Sequence, residues 1–364
     1  MVQLLLRETR ARLCAMFLVA GVALLPAPLR AARPAKTAPP PEMWKLSLDG
    51  GRSLTWERSF SSEAEVKANR GFWNKVWDVV AGAPDYRSMV RPYSVVADSH
   101  GRIIVTDPGA AGIHIFDFEQ HKYKFVQRLG KQFSMESPQC VAVDSADNIY
   151  VTDSNAGVIF VFAPSGKFLR TLGSLKGGEG YFKRPTGIAV DTATQRIYVT
   201  DTLRDQVFVL DMQGAVLATL GHRGEADGEF NYPTELRLDG DNLLVVDAMN
   251  FRVQVFDLSG KFQYAIGKIG DQPGAMFRPK AAGFDSEGDL YIVDAQWGVV
   301  QVFNHQGQLL YDFGAHGTHA GQFQLPTGLF IDRSDRVLVV DSFNRRVQIF
   351  QYAGLHTAAA GGQP

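Results

Sequence analysis

Glu235 and Arg237 are the side chains in this sequence best placed to do chemistry. Six short segments align along the chain: YSVVAD, QCVAVD, TGIAVD, TELRLD, KAAGFD and TGLFID. They end at Asp98, Asp144, Asp191, Asp239, Asp285 and Asp332. Only the fourth carries charges, in columns that are otherwise small or apolar. Residues two apart on a strand share a face, so Glu235 and Arg237 point the same way. With Lys280 and Tyr93, which open two other segments, they could form a site at the mouth of a channel. The alternative is an internal ion pair, which must be hydrogen-bonded to be tolerated.

Other reactive patterns are thin. His316 and His319 are close together, but they lie in a Gly-rich loop with no third ligand, which is a poor zinc site. Neither zinc nor calcium is supported, and no cofactor is expected. There is no G-x-S-x-G elbow and no phosphate loop of the GK[ST] type. A second series of acids, Asp107, Asp153, Asp201, Asp247, Asp294 and Asp341, invites a metal or acid–base reading. Its repetition argues for structure instead, because active sites are asymmetric. An Asp at a strand end can accept backbone N–H groups of a loop.

These residues are positioned by a repeat. The second series of acids recurs at intervals of 46, 48, 46, 47 and 47 residues, by subtraction of their positions. Each copy opens with a proline: Pro92, Pro138, Pro185, Pro233, Pro279 and Pro326. A period in the forties marks a unit that buries its faces only by stacking on copies of itself. In the third copy, runs rich in Val, Ile, Tyr and Phe, separated by Asp, Thr and Gly turns, predict four hairpin-linked strands between Thr186 and Leu220. Four antiparallel strands per copy, repeated radially, make a propeller blade. The sixth copy supplies only three strands. Leu54 to Phe60 (LTWERSF), placed before the first blade, is expected to be the fourth and to close the ring, removing an open sheet edge.

Motifs such as RPTGIAVD…RIYVTD…QVFVLD and LPTGLFID…VLVVDSFNRRVQIF, preceded by Gly-rich segments such as HRGEADGEF, resemble NHL repeats. The resemblance covers about residues 91–352 plus the closing strand. It implies an all-β, six-bladed NHL propeller with blades from about 91, 137, 184, 232, 278 and 325. It does not imply one function, because such folds host interaction modules, RNA binders and some enzymes. The related amidating-lyase propellers hold zinc with histidines at the starts of inner strands. Here the residues after each proline are Tyr93, Gln139, Thr186, Thr234, Lys280 and Thr327, which counts against that class.

The flanking segments read differently. Arg7, Arg10 and Arg12 precede an apolar run, Leu13 to Leu25, and small residues follow near Ala31, the layout of a secretory leader over residues 1–31. The expected location is therefore periplasmic or extracellular, and any membrane association would come through an uncleaved leader. Residues 32–53 read as a Pro/Ala-rich linker and 354–364 as a disordered tail. Glu63 to Ala81 reads as an amphipathic helix, with Phe72, Trp73, Val76, Trp77 and Val80 at helical spacing. Cys140 is the single cysteine left after leader removal, so no internal disulfide is available.

Loops before each first strand and between the second and third strands are expected on one face, where sites on rigid scaffolds usually lie. They carry Arg204, Asp205, Arg252, Trp297, Asn344 and Arg346, a mixture suited to protein or polar-ligand contact. Lys plus Arg (37) balances Asp plus Glu (38), so no global field favours nucleic acid. The expectation is an exported, non-enzymatic propeller binding a protein, peptide or polysaccharide. The alternative is a hydrolase or lyase, lactonase-like or amidating-lyase-like, working at the channel mouth.

Overall fold

A computed structural model describes residues 44–67, 85–130, 133–174 and 180–354. The leader, most of the linker, residues 68–81 of the expected helix and residues 355–364 of the tail lie outside them. Six antiparallel blades follow one another along the chain, with a two-stranded ribbon, Arg128–Leu129 and Phe133–Ser134, between the first two. Their inner strands are Val95–Ala97, Pro138–Val143, Pro185–Asp191, Pro233–Asp239, Pro279–Phe284 and Pro326–Ile331. In blades one to five each is followed by a second, a third and an outer strand, as in Arg196–Asp201, Gln206–Asp211 and Val216–Leu220 of blade three.

Neighbouring blades bury one another. Second strands such as Ile149–Asp153 and Leu290–Asp294 are buried at every position. Ile104, Ile113 and Ile115 of blade one pack in one cluster with Val141, Ile149 and Val151 of blade two. This is why the central strands read as apolar without alternation: both sheet faces are covered. Outer strands see water, and four of the five residues of Val216–Leu220 are exposed.

The ring closes as an N-terminal strand pairs into blade six. Ser53–Phe60 runs antiparallel to Arg346–Ala353, with Leu54 opposite Tyr352 and Phe60 opposite Val347. On the inner side, Thr327 Oγ1 donates to the Tyr93 carbonyl at 2.8 Å, joining blade six to blade one. The linker expected through residue 53 gives way earlier, at residue 44. Lys45–Ser47 adds a fifth strand outside Ser53–Phe60. Trp44 anchors it against Phe350 and Phe313, with ring centroids 5.4 and 6.2 Å apart.

Of the expected helical insertion, Glu63–Lys67 is described and is helical. Ser62 caps it, its Oγ accepting from the Ala64 N–H while Glu65 accepts from the Ser62 N–H, a reciprocal capping arrangement. Val66 is buried in a cluster with Phe60 and Phe116 of the propeller. No helix among the described residues is long and apolar enough to cross a membrane.

Candidate functional site

The proline that opens each repeat sets the site geometry. In blades two to six this proline lies opposite the Asp that ends the second strand, as Pro185 does opposite Asp201, and the register then slips before pairing resumes at Ile188. A bulge of this kind lifts one or two residues off the ladder and re-aims their side chains. The Asp opposite holds the approach. Asp107 accepts from the Val90 and Arg91 N–H groups at 2.6 and 2.9 Å, and Asp201 from Lys183 and Arg184 at 2.8 and 3.0 Å. Asp294 does the same for Phe277 and Arg278 at 2.7 and 3.2 Å. The second series of acids is thus loop-tying, each carboxylate replacing a missing backbone acceptor.

The residues flanking these prolines line one mouth of the channel, a cavity of about 550 Å³. Arg91, Arg184, Arg278 and Lys280 line it beside Tyr93, Gln139, Thr186, Thr234 and Phe277, with no Asp or Glu among the lining residues. Lys280 and Tyr93 therefore sit together, as the sequence suggests. Arg184 and Arg278 were not singled out from the sequence. Their signal is the column just before the proline, which reads Arg91, Ser137, Arg184, Tyr232, Arg278 and Leu325. Burial, with the neighbouring Arg278 and Arg184, pushes the Lys280 ammonium down to about 8. Burial likewise raises the Tyr93 phenol.

Neither Glu235 nor Arg237 lines this mouth, although the charge of Glu235 helps to raise the Tyr93 phenol from beneath it. Arg237 donates to Glu235 Oε1 at 3.1 Å and to the Leu329 carbonyl of blade six at 2.6 Å. Glu235 Oε2 accepts from the Ala282 N–H of blade five at 3.2 Å. Arg237 lines the opposite mouth, a cavity of about 590 Å³ that shares no lining residue with the first. Glu235 is buried, and burial pushes its carboxyl up to about 7 against the pull of Arg237. Among the described residues no histidine and no second acid is bonded to it. Of the expected constellation, Lys280 and Tyr93 line one cavity, Arg237 lines the other, and Glu235 is buried between them. An inner strand runs from one mouth to the other, so its two ends serve different cavities.

Exposed apolar side chains gather around the cationic mouth. Val90, Leu203, Tyr232, Met249, Ile269, Phe277, Trp297 and Phe343, all on loops leading to or from it, are between 38% and 62% exposed. The other large apolar residues exposed among the described residues, Leu169, Val216, Leu217 and Leu310, lie on outer strands. Phe277 and Trp297 meet edge to face at 6.5 Å and line a groove with Ile269.

The comparisons agree with this architecture. A family model described as an NHL repeat matches residues 136–162, and one described as a 6-bladed beta-propeller matches 188–266. The chain is a six-bladed propeller with an NHL-repeat match in its second blade. No sequence among curated proteins matches it. Among solved structures, this propeller resembles selenomethionine-substituted virginiamycin B lyase from Staphylococcus aureus, with 15% identity and a TM-score of 0.52, over 72% of this chain and 94% of that one. It also resembles an auxiliary nutrient binding protein from Bacteroides thetaiotaomicron, with 15% identity and a TM-score of 0.56, over 73% and 70%. A gluconolactonase from Xanthomonas campestris matches at 13% identity and a TM-score of 0.54, over 84% and 91%. At these identities the likeness is one of fold.

Several polar residues singled out from the sequence hold the propeller's own loops. Arg252 Nε donates to Asp247 at 2.9 Å and its Nη2 to the Ala226 and Glu229 carbonyls. Arg346 repeats this with Asp341, His319 and Gln322. Asn344 donates to Asp341 and to the Gly317 carbonyl, both at 2.8 Å. Arg204 donates to the Tyr181 carbonyl at 2.9 Å and stacks on that ring, while Asp205 accepts from the Tyr232 N–H at 2.8 Å. Of the loop candidates, Trp297 remains available for a ligand.

The opposite mouth carries both signs of charge, with Asp98, Asp144, Asp147 and Asp332 beside Arg237, Arg333 and Arg336. Asp98, His100 and Asp147 there lie within 4.8 Å of one another, a spacing that a metal could use. Their oxygens are already engaged, Asp98 by Arg102 Nε at 2.6 Å and Asp147 by the Ser99 N–H and hydroxyl at 3.0 and 2.7 Å. The Ser–Asp half of this arrangement recurs between blades five and six, at Ser286 and Asp335, as expected of an inter-blade tie.

Proposed function

We propose that this protein is a binding propeller, not an enzyme, and that a protein or peptide partner docks on the loop face around the cationic mouth. The gathering of exposed apolar side chains on that face carries the reading. Isolated exposed apolar residues are ordinary, whereas a contiguous group rimming a cavity marks an interaction surface. Val90, Leu203, Met249 and Ile269 are aliphatic. They suit protein side chains better than sugar rings, which stack on aromatic faces.

The enzymatic alternative has less support. Hydrolase or lyase chemistry needs a general acid or base within reach of an open pocket. Glu235 spends both oxygens on Arg237 and Ala282, and the acid–base groups lining the cationic mouth, Lys280 and Tyr93, have no histidine, Asp or Glu among the other lining residues to act with. The basic-then-apolar run at residues 7–25 supports an encounter outside the cytoplasm, in the periplasm or beyond. The balanced overall charge gives no extended track for nucleic acid.

A display library of random peptides selected on the intact protein tests this. Selected peptides should lose about tenfold or more in affinity when Phe277 or Trp297 becomes alanine. They should be indifferent to Arg333→Ala at the opposite mouth. Binders that ignore both aromatic substitutions, or turnover of a lactone or ester that those substitutions leave intact, would overturn the reading.

A further inference from the structure

The cationic mouth differs from every other concentration of charge on the molecule. Several guanidinium groups elsewhere have carboxylates close by. Arg102 is paired with Asp98 at 2.6 Å, Arg252 with Asp247 at 2.9 Å, Arg336 with Asp332 at 2.7 Å and Arg346 with Asp341 at 2.8 Å. Arg91, Arg184, Arg278 and Lys280 have no such partner among the described residues. Three blades bring them to one cavity, whose remaining polar lining consists of neutral donors. One of these, the Thr234 hydroxyl, is buried with no hydrogen-bond partner among the described residues.

Like charges gathered in a partly dry cavity repel one another. The depressed Lys280 ammonium reflects this together with its burial. The chain as a whole is nearly neutral, so the cluster is local, and a folded protein keeps such a cluster at a cost unless an anion relieves it. Carboxylates suit the set: guanidinium groups offer paired donors, and an ammonium and hydroxyls complete the remaining lone pairs.

We propose that this mouth is an anion subsite that takes carboxylate side chains of an acidic segment of the docked partner. The proposal rests on the binding reading above and adds the chemistry of what is bound. Charge complementarity argues for the acidic character, and the apolar rim argues that the carboxylates belong to a polypeptide. Arg237 and Lys280 serve cavities with no common lining, so the segment lies across the mouth and inserts side chains without threading the channel.

Calorimetric titration of the intact protein with an oligoglutamate peptide, acetylated and amidated at its ends, tests the proposal. The expected result is binding at least about tenfold tighter than to the matching oligoglutamine. Arg184→Gln and Arg278→Gln should each weaken it by about tenfold, and Arg333→Gln should leave it unchanged. Affinity should fall as pH rises through 8, where free Lys280 loses its proton, and Lys280→Met should flatten that slope. Equal affinity for the two peptides overturns the proposal, as does equal sensitivity to Arg333→Gln. Tripolyphosphate binding at this mouth more tightly than oligoglutamate overturns the carboxylate assignment. Display-selected peptides separate this failure from that of the docking face. If they need Phe277 and Trp297 but ignore Arg278→Gln, the face stands and the anion subsite falls. If they ignore all three, both fall.

Discussion

Glu235 and Arg237 form an ion pair inside the ring that ties three blades together. Both belong to the inner strand of blade four, yet Glu235 accepts from the Ala282 N–H of blade five and Arg237 reaches the Leu329 carbonyl of blade six. An inner strand has one edge facing the channel, so groups such as Ala282 N–H and Leu329 C=O lack a strand partner there. The small residues Ala281, Ala282 and Gly283 leave the space that Arg237 crosses; a Cβ on Gly283 would meet the Arg237 side chain at 3.9 Å. In blades one to three, Thr106, Thr152 and Thr200 bond to a carbonyl of the next inner strand. Blades four to six carry Val246, Val293 and Val340 at that position, and in blade four the ion pair makes the crossing.

Removing one partner should cost more than removing both. Glu235→Ala leaves a half-buried guanidinium without its counter-charge and the Ala282 N–H without an acceptor, a loss of about 3 kcal/mol. Replacing both residues with alanine, as neighbouring blades carry Ala281 and Ala189 in these columns, should cost less than the sum of the single losses. A double-mutant cycle by chemical denaturation measures the coupling. Additive losses would sink the idea that the pair acts as one unit.

The same pair predicts how stability varies with pH. Glu235 titrates near 7 when folded against 4.5 as a free side chain, so the folded state holds the extra proton between those values. Stability from this group is fully present below 4.5 and is lost as pH rises toward 7. Lys280 acts in another window. Its folded value of about 8 lies below 10.5, so stability rises with pH between the two and falls as pH drops back through 8. Denaturation midpoints across pH should show a decline between 5 and 7 that Glu235→Gln flattens. They should also show a rise above 8 that Lys280→Met flattens. Unchanged slopes in both variants would contradict these environments.

Much of this architecture was legible in the sequence because repetition amplifies weak signals. One proline–aspartate pairing means little, but six at a constant interval specify blades, and LTWERSF then has one open place to go. The fifth strand was hidden because Lys45–Ser47 is only three residues long and Trp44 sits beside a Pro/Ala-rich stretch. The site was harder to see. Arg252, Asn344 and Arg346 look exposed and functional in a loop sequence, yet the NRV-like pattern itself exists to hold the loop. Arg184 and Arg278 went unnoticed because each precedes a proline that draws attention as a strand start. A charge cluster assembled from separate blades shows only when that single column is compared across copies.

Closure of the ring depends on two N-terminal strands with unequal roles. Deleting the chain through residue 52 removes Lys45–Ser47 and Trp44, exposing an outer edge and part of Phe350. Trp44→Ala alone should cost about 2 kcal/mol, since the ring is only half-buried. Deleting through residue 60 also uncovers Arg346–Ala353 and removes Leu54 and Phe60, which are 0% and 1% exposed. The shorter deletion should lower the melting midpoint and leave a monodisperse species on size exclusion. The longer one should aggregate through the bared edge. A monodisperse, cooperatively melting product from the longer deletion would refute the closure argument.

Asp294 should be the single residue whose loss loosens the proposed docking face. One buried carboxylate accepts from Phe277 and Arg278 on one loop, and from Gln296 and Trp297 on the other at 2.9 and 3.3 Å. These include the aromatic pair of the rim and one cation of the mouth. Asp294→Ala leaves their N–H groups without that acceptor, at about 1–3 kcal/mol for each donor that stays buried. Asp294→Asn keeps one acceptor oxygen and should cost less. Asp153→Ala serves as the control, because Asp153 makes the equivalent contacts to Glu136 and Ser137 away from the aromatic groove. Hydrogen exchange should speed up at 277–278 and 296–297 in the first variant, and at 136–137 in the control. Affinity for display-selected peptides should fall in Asp294→Ala and hold in Asp153→Ala. If the two variants weaken binding equally, the loops of blade five have no special part in recognition, and their order reflects ring stability alone.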